Sequence, residues 1–119
     1  MKKILIVILT LIAFASLAYA ALNMKSVGNT TDAAIVTGAG NFKGLIIHTD
    51  GTNSVTVSVY DNTAASGSKL FSTFTVTTST ANRTTTLGFD SNECPFYKGI
   101  YVDVTTSGTV TYDVYYDKI

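Results

Sequence analysis

Two stretches of strict alternation near the C-terminal end give the clearest structural signal in the chain. Apolar and polar residues alternate along residues 99–104 and again along 110–116, and a segment rich in Thr, Ser and Gly separates them. This pattern is typical of a β-hairpin. A three-residue loop at 106–108 keeps one face apolar and places Gly108 in the left-handed conformation that such loops need. The predicted register pairs Val104 with Val110, Val102 with Tyr112 and Ile100 with Val114.

The outward face of this predicted hairpin carries the most interesting surface in the sequence. Aromatic rings beside carboxylates can stack on sugars and bond their hydroxyls, and Tyr is a frequent interface anchor. The alternative is that cross-strand pairs of these residues only stabilise an exposed sheet. The candidate binding residues are Tyr101, Asp103, Thr111, Asp113 and Tyr115.

Short strands separated by turn residues continue through the rest of the chain, and no helical periodicity follows residue 20. Alternation and apolar runs predict strands at residues 31–37, 42–49, 54–60, 69–77 and 83–89. Residues 42–49 and 54–60 flank an Asp-Gly-Thr-Asn turn, which indicates a second hairpin. The predicted fold is all-β, a single antiparallel β-sandwich of seven or eight strands, jelly-roll or immunoglobulin-like, at residues 31–119.

The N-terminus has the form of a secretory signal peptide. Met1, Lys2 and Lys3 precede an apolar run, and an Ala-Tyr-Ala site ends at Ala20. A cationic start, an apolar segment and small residues at the cleavage site favour removal of residues 1–20 and export to the exterior or the cell surface. Retention as a membrane anchor is the alternative, because the apolar run is just long enough to span a bilayer.

Residues 21–30 give a weak signal, which fits an arm, a short edge strand, or a strand donated to a neighbouring subunit. The predicted C-terminal strand is long, aromatic and nearly free of Lys, so it would leave an unprotected sheet edge. We therefore predict a homo-oligomer or assembly with other structural proteins, in which the N-terminal segment adds a strand to another subunit. The predicted assembly residues are Leu22, Met24 and Val27.

Charge excludes some partners. Removing Lys2 and Lys3 from the eight cationic residues leaves six against eight acidic ones, a net charge of −2. Nucleic acid requires clustered Lys and Arg, so it is not expected as a partner. The net charge gives no attraction to an anionic membrane, and we expect membrane contact only through an uncleaved N-terminal segment.

No residue pattern indicates catalysis or a cofactor. His48 is the only histidine and Cys94 the only cysteine, so zinc ligands are too few and no intrachain disulfide is possible. A buried thiol is the favoured interpretation of Cys94. Asp50 with Asn53, and Asp61 with Asn62, are better explained as turn residues than as calcium ligands. We predict no enzyme activity, no metal and no cofactor.

A wider set of residues resembles the small, mostly uncharacterised β-sandwich proteins of tailed phages. The resemblance covers about residues 42–117. It depends on the run from Val59 to Leu70 with its Tyr-Asp-Asn-Thr turn, on Cys94, on Gly-Ile-Tyr-Val at 99–102 and on Val-Tyr-Tyr at 114–116. It implies a virion-associated protein, whereas the signal peptide indicates an exported or surface product.

These observations favour a non-enzymatic, exported structural or adhesion module related to phage. The two alternatives are a subunit of an extracellular fibre assembled by strand addition and a small carbohydrate-binding module, for which glycans would be the partners.

Overall fold

The computed structural model describes residues 24–81, 83–89 and 94–119, which form nine β-strands. No helix in these ranges is long and apolar enough to cross a membrane. The strands are β1 Met24–Asn29, β2 Ala33–Thr37, β3 Gly40–Thr49, β4 Val55–Tyr60, β5 Phe74–Val76, β6 Thr84–Gly88, β7 Cys94–Phe96, β8 Gly99–Thr105 and β9 Val110–Lys118.

The strands form two antiparallel sheets, which confirms the predicted all-β, two-layer architecture. The first sheet has the order β1-β9-β3-β6, and β7 pairs with β3 beyond the end of β6. The second sheet has the order β2-β8-β4-β5. Nine strands exceed the predicted seven or eight because β1 and β7 are added, and β7 is only three residues long.

The core lies between the sheets and is built by the alternation that the sequence shows. Val55, Val57 and Val59 of β4 are fully buried, and so are Ile100 and Val102 of β8. Leu45, Ile47 and Val114 cover them from the first sheet. Burying each of these side chains contributes about 1.5–3 kcal/mol before conformational entropy is subtracted.

Both predicted hairpins are wrong. β8 pairs with β2 and β4 in the second sheet, whereas β9 pairs with β1 and β3 in the first. Similarly, β3 and β4 lie in different sheets. Alternation produces an apolar face in either arrangement, whether two strands are hydrogen-bonded side by side or face each other across a core. The pattern therefore predicts which side chains point inward but not which strands are neighbours.

Gly108 has a role different from the predicted one. The positive φ angles belong to Gly38, Gly51, Gly67 and Gly99, so Gly108 is not left-handed. Instead, a Cβ at Gly108 would overlap the carboxylate of Asp50, which lies directly against the backbone. Glycine is needed here for close approach of the β3–β4 and β8–β9 loops.

The strand predicted at residues 69–77 is shorter in the structure. Only Phe74–Val76 forms β5, and Leu70 and Phe71 lie in the preceding loop while still packing against the core. The Phe71 ring centroid lies 5.5 Å from that of Phe42. Loop residues that pack against the core without pairing to another strand give the same apolar pattern in the sequence as a strand does.

The C-terminal strand differs from prediction, whereas the N-terminal segment matches one of its alternatives, a short edge strand. β9 lies between β1 and β3, so the expected open edge at the C-terminal strand is wrong. Residues 24–29 form an edge strand paired with β9 of the same chain, with Met24 opposite Asp117 and Asn29 opposite Tyr112. The predicted signal peptide lies outside the described residues.

Candidate functional site

The five candidate binding residues lie on opposite sides of the sandwich. Tyr101 and Asp103 are on β8, and they face outward because their neighbours Ile100 and Val102 are fully buried. The other three residues lie on the outer face of the first sheet, on β9: Thr111, Asp113 and Tyr115. Separation of the two strands into different sheets makes a single site containing all five impossible.

Tyr101 has an aromatic neighbour that the predicted hairpin did not include. Tyr60, at the end of β4, is directly opposite Tyr101 in the β4–β8 register. Both rings are half-buried and lie on the outer side of the sheet. We call this surface the tyrosine face, and its residues are Ser58, Tyr60, Lys69, Thr73, Tyr101 and Asp103.

Polar groups border the two rings of the tyrosine face. The Lys69 ammonium lies 5.5 Å from the centroid of the Tyr60 ring, and its Nζ donates to Thr73 Oγ1 at 2.5 Å. Ser58 and Thr73 share a hydroxyl–hydroxyl hydrogen bond of 2.7 Å. Asp103 is opposite Ser58 in the register. The face therefore combines two aromatic rings with hydroxyl, ammonium and carboxylate groups.

The outer face of the first sheet carries an exposed histidine and a tyrosine that is not opposite a second ring. His48 is exposed there, and its Nδ1 is 3.0 Å from Thr84 Oγ1. Thr111 is opposite His48, and Tyr115 is opposite Gly44 rather than another ring. No carboxylate bonds to His48 in the part of the chain that the structure describes, because the neighbouring Asp50 points its oxygens into a loop.

Asp50 joins the two loops that connect the sheets at one end of the sandwich. Its Oδ1 accepts the backbone N–H of Thr52 and of Asn53, each at 2.8 Å. Its Oδ2 accepts from Asn53 Nδ2 at 2.9 Å and from the Thr109 N–H at 3.1 Å. These donors, above all the Asn53 backbone N–H, hold the pKa of Asp50 well below its usual range. The predicted turn role of Asp50 is confirmed, and the bond to Thr109 makes it a link between loops.

A second aspartate links the loops at the opposite end. Asp61 Oδ1 accepts the backbone N–H groups of Tyr97 and Lys98, each at 2.8 Å. Asn62 bonds within its own loop, to Thr63 N–H and the carbonyl of Ser66. These residues therefore fasten loops, as Asp50 does. No group of three or more potential metal ligands occurs among the described residues.

An open cleft of about 580 Å³ lies beside the Asp50 loops, where the β1–β2 and β8–β9 connections meet. Its lining is mainly threonine together with Asp32, whose Oδ1 accepts the Val104 N–H at 2.7 Å. Tyr112 donates its hydroxyl to the carbonyl of Thr31 at 2.5 Å. Burial, and secondarily the Asp32 carboxylate, raises the pKa of Tyr112. These bonds fix the β1–β2 connection beside the cleft.

Cys94 is half-buried rather than fully buried. Its Sγ lies 3.9 Å from the carbonyl of Leu70, and the residue packs against the edge of the core. Burial raises the pKa of this thiol, which disfavours the reactive thiolate.

The predicted assembly residues are placed only by their backbone. Met24 and Val27 belong to β1, with Val27 opposite Val114, whereas Leu22 lies outside the described residues. Of the three alternatives for this segment, the structure shows the short edge strand for residues 24–29. Oligomerisation itself stays a prediction.

Sequence reasoning missed Tyr60 and Lys69 as members of the candidate site. The alternation of residues 54–60 does place Tyr60 outward, but the incorrect hairpin assigned its strand to β3 rather than β8. Lys69 meets Tyr60 through an isolated bridge across a long loop, for which the sequence gives no signal.

A scan against protein-family models and searches of curated proteins and of solved structures found no match for this chain.

Proposed function

We propose that this chain is a non-enzymatic, exported adhesion module that binds glycans through the tyrosine face. Such a role agrees with the resemblance to small sandwich proteins of tailed phages and with the form of the N-terminus, which is that of an exported protein. The observation that carries the proposal is that Tyr60 and Tyr101 are opposite each other on neighbouring strands, on the outer face of the second sheet.

Tyr60 and Tyr101 provide the aromatic surface that a sugar ring needs. A pyranose has apolar C–H faces and a rim of hydroxyls, so it needs an aromatic surface bordered by donors and acceptors. Rings opposite each other on neighbouring strands have Cβ atoms about 4.5–5.5 Å apart. Lys69 and Asp103 border these rings with a donor and an acceptor, and Thr73 supplies an exposed hydroxyl.

The tyrosine face is a better candidate than the outer face of the first sheet. In the first sheet, Tyr115 stands opposite Gly44, and Gly44 is in turn opposite Gly88. A single ring can stack one sugar, but it has no aromatic neighbour within its row of the sheet. Tyr115 therefore serves as a matched control, since it is also a half-buried strand tyrosine.

Binding of the exported protein to a glycan array is the direct test. We expect binding to at least one glycan class, and a loss of affinity of about 30-fold in Tyr60→Ala and in Tyr101→Ala, as for central aromatic anchors. Tyr115→Ala should bind as the unmodified protein does. A blank array, or equal loss in Tyr115→Ala with all variants folded by circular dichroism, would overturn the proposal.

A further inference from the structure

The net charge of the chain conceals an uneven distribution between the two halves of the sandwich. Among the described side chains, four lysines share one half with two aspartates, and the other half has one arginine and four aspartates. The first group is Lys43, Lys69, Lys98 and Lys118 with Asp61 and Asp117; the second is Arg83 with Asp32, Asp50, Asp103 and Asp113. We call the tip of the first half, formed by residues 97–98 and 118–119, the lysine end.

Contacts between loops establish that these residues share one end. Lys118 is opposite Gly40, which is opposite Phe96, immediately before Tyr97. The Gly38 N–H donates to the Lys98 carbonyl at 3.0 Å, and the Ile119 N–H donates to the Ala39 carbonyl at 3.1 Å. The β2–β3 turn therefore connects the two parts of the lysine end.

The lysine end presents exposed apolar side chains together with its charges. Tyr97 is 72% exposed and Ile119 is 88% exposed, and they are the large apolar residues most exposed in the described part of the chain. Lys98 and Lys118 are also exposed. Within the described ranges, the only ion pair joins Lys43 to Asp117 at 3.4 Å. Asp61 accepts backbone N–H groups and forms no ion pair with Lys98 or Lys118.

β1 also begins at this end: Met24, the first described residue, is opposite Asp117, one residue before Lys118. Tyr is enriched where proteins meet the membrane–water interface, and Lys near anionic headgroups adds attraction.

We propose that the lysine end docks on the surface of an anionic lipid bilayer, with Tyr97 at headgroup depth and Lys98 and Lys118 against the lipid charges. The long axis of β9 then points away from the membrane. Eight residue steps of about 3.4 Å place the Asp50 loops about 27 Å beyond the lysine end. This contact is separate from glycan binding, which uses the side of the second sheet.

Vesicle binding by the full chain tests the charge requirement. We compare vesicles of phosphatidylcholine alone with vesicles that also contain phosphatidylglycerol. Any binding through the apolar N-terminal stretch does not depend on lipid charge, so it contributes equally to both. Binding should be stronger to the anionic vesicles and should weaken as salt is raised. The double variant Lys98→Gln with Lys118→Gln should bind the anionic vesicles more weakly, by about fivefold for each lysine replaced.

Arg83→Gln is the matched control, since it neutralises an exposed cation at the opposite end. It should retain full binding. Equal binding to the two vesicle types, or a loss in Arg83→Gln equal to that for one lysine, would overturn the proposal.

Fluorescence tests the orientation independently of affinity. The chain has no tryptophan, so Tyr97→Trp places a single reporter at the lysine end, and Thr80→Trp places one in the exposed loop at the other end. Brominated lipids in the anionic vesicles should quench the indole at position 97 and leave the indole at position 80 unchanged. Equal quenching of the two reporters, or quenching at position 80 alone, would show that the lysine end does not face the bilayer.

Discussion

The two ends of the sandwich use their charged groups in different ways. At one end Asp50 accepts four hydrogen bonds and joins the loops that connect the sheets. At the other, Asp61 accepts two backbone bonds, while Lys98 and Lys118 stay exposed. Charge at the Asp50 end therefore maintains the fold, whereas Lys98 and Lys118 form no ion pair among the described residues. A single net charge for the chain describes neither end.

The largest expected effect lies in the core, on which both ends depend. Val102→Asp places an unpaired carboxylate at a fully buried position between the sheets. We expect a loss of more than about 4 kcal/mol, which approaches the whole stability of a typical domain. Asp103→Ala, on the outer face, should change the free energy of unfolding by about 0.5 kcal/mol or less. Urea titrations followed by circular dichroism measure both, and equal effects would contradict the inward and outward assignment.

The next largest effect is expected where the loops meet at the Asp50 end. In Gly108→Ala the new Cβ would overlap the Asp50 carboxylate and lie 2.9 Å from Asn53 Cβ. Relieving this overlap requires the two loops to separate, and we expect a loss of about 1–3 kcal/mol, as for overpacking.

Gly88→Ala is the control for Gly108→Ala, because a Cβ at Gly88 meets nothing within 4 Å. It should leave stability unchanged or raise it by up to about 1 kcal/mol. If the two substitutions have the same effect in urea titrations, the close approach of the loops does not determine the choice of glycine.

A smaller difference is expected between the two aspartates. Asp50→Ala should lower the free energy of unfolding more than Asp61→Ala, because it leaves four donors rather than two without their acceptor. Parallel urea titrations of the two variants at neutral pH measure this ranking. If Asp61→Ala lowered the free energy of unfolding more, the bonds made by the β4–β5 loop would contribute more to stability than those made by the β3–β4 loop.

Acid should remove the contribution of Asp50. Its pKa is lowered in the folded protein by the N–H donors around it, so the folded state binds a proton less readily than the unfolded chain. The stabilisation is therefore complete above the unfolded pKa of about 3.9 and declines as pH falls below that value. The stability difference between the unmodified protein and Asp50→Ala should narrow between about pH 5 and pH 2. A constant difference across this range would contradict the assignment.

The sequence predicted local features well and long-range pairing poorly. Alternation correctly separated Val102 from Asp103, since the inward or outward direction depends only on the strand period. The pairing of Val102 with Tyr112 failed, because Val102 lies opposite Val59 and Ala33 in its own sheet. Asp50 was recognisable as a turn residue, but its bond to Thr109 depends on two loops distant in sequence. Similarly, the sequence identified Tyr101 as a candidate binding residue but not its neighbour Tyr60, because their pairing joins two strands distant in sequence.

The smallest effect on stability is expected at the lysine end, and this prediction tests most directly whether the two ends use their charges differently. Lys98→Gln with Lys118→Gln removes two exposed charges that form no ion pair among the described residues. We expect the free energy of unfolding to change by no more than about 0.5 kcal/mol. Lys43→Gln is the matched control, because it breaks the partly exposed pair with Asp117 and should cost up to about 1 kcal/mol. Urea titrations at low salt would reveal both effects. If the double variant proved less stable than Lys43→Gln, the lysines at this end would be structural, and the two ends would use their charges alike.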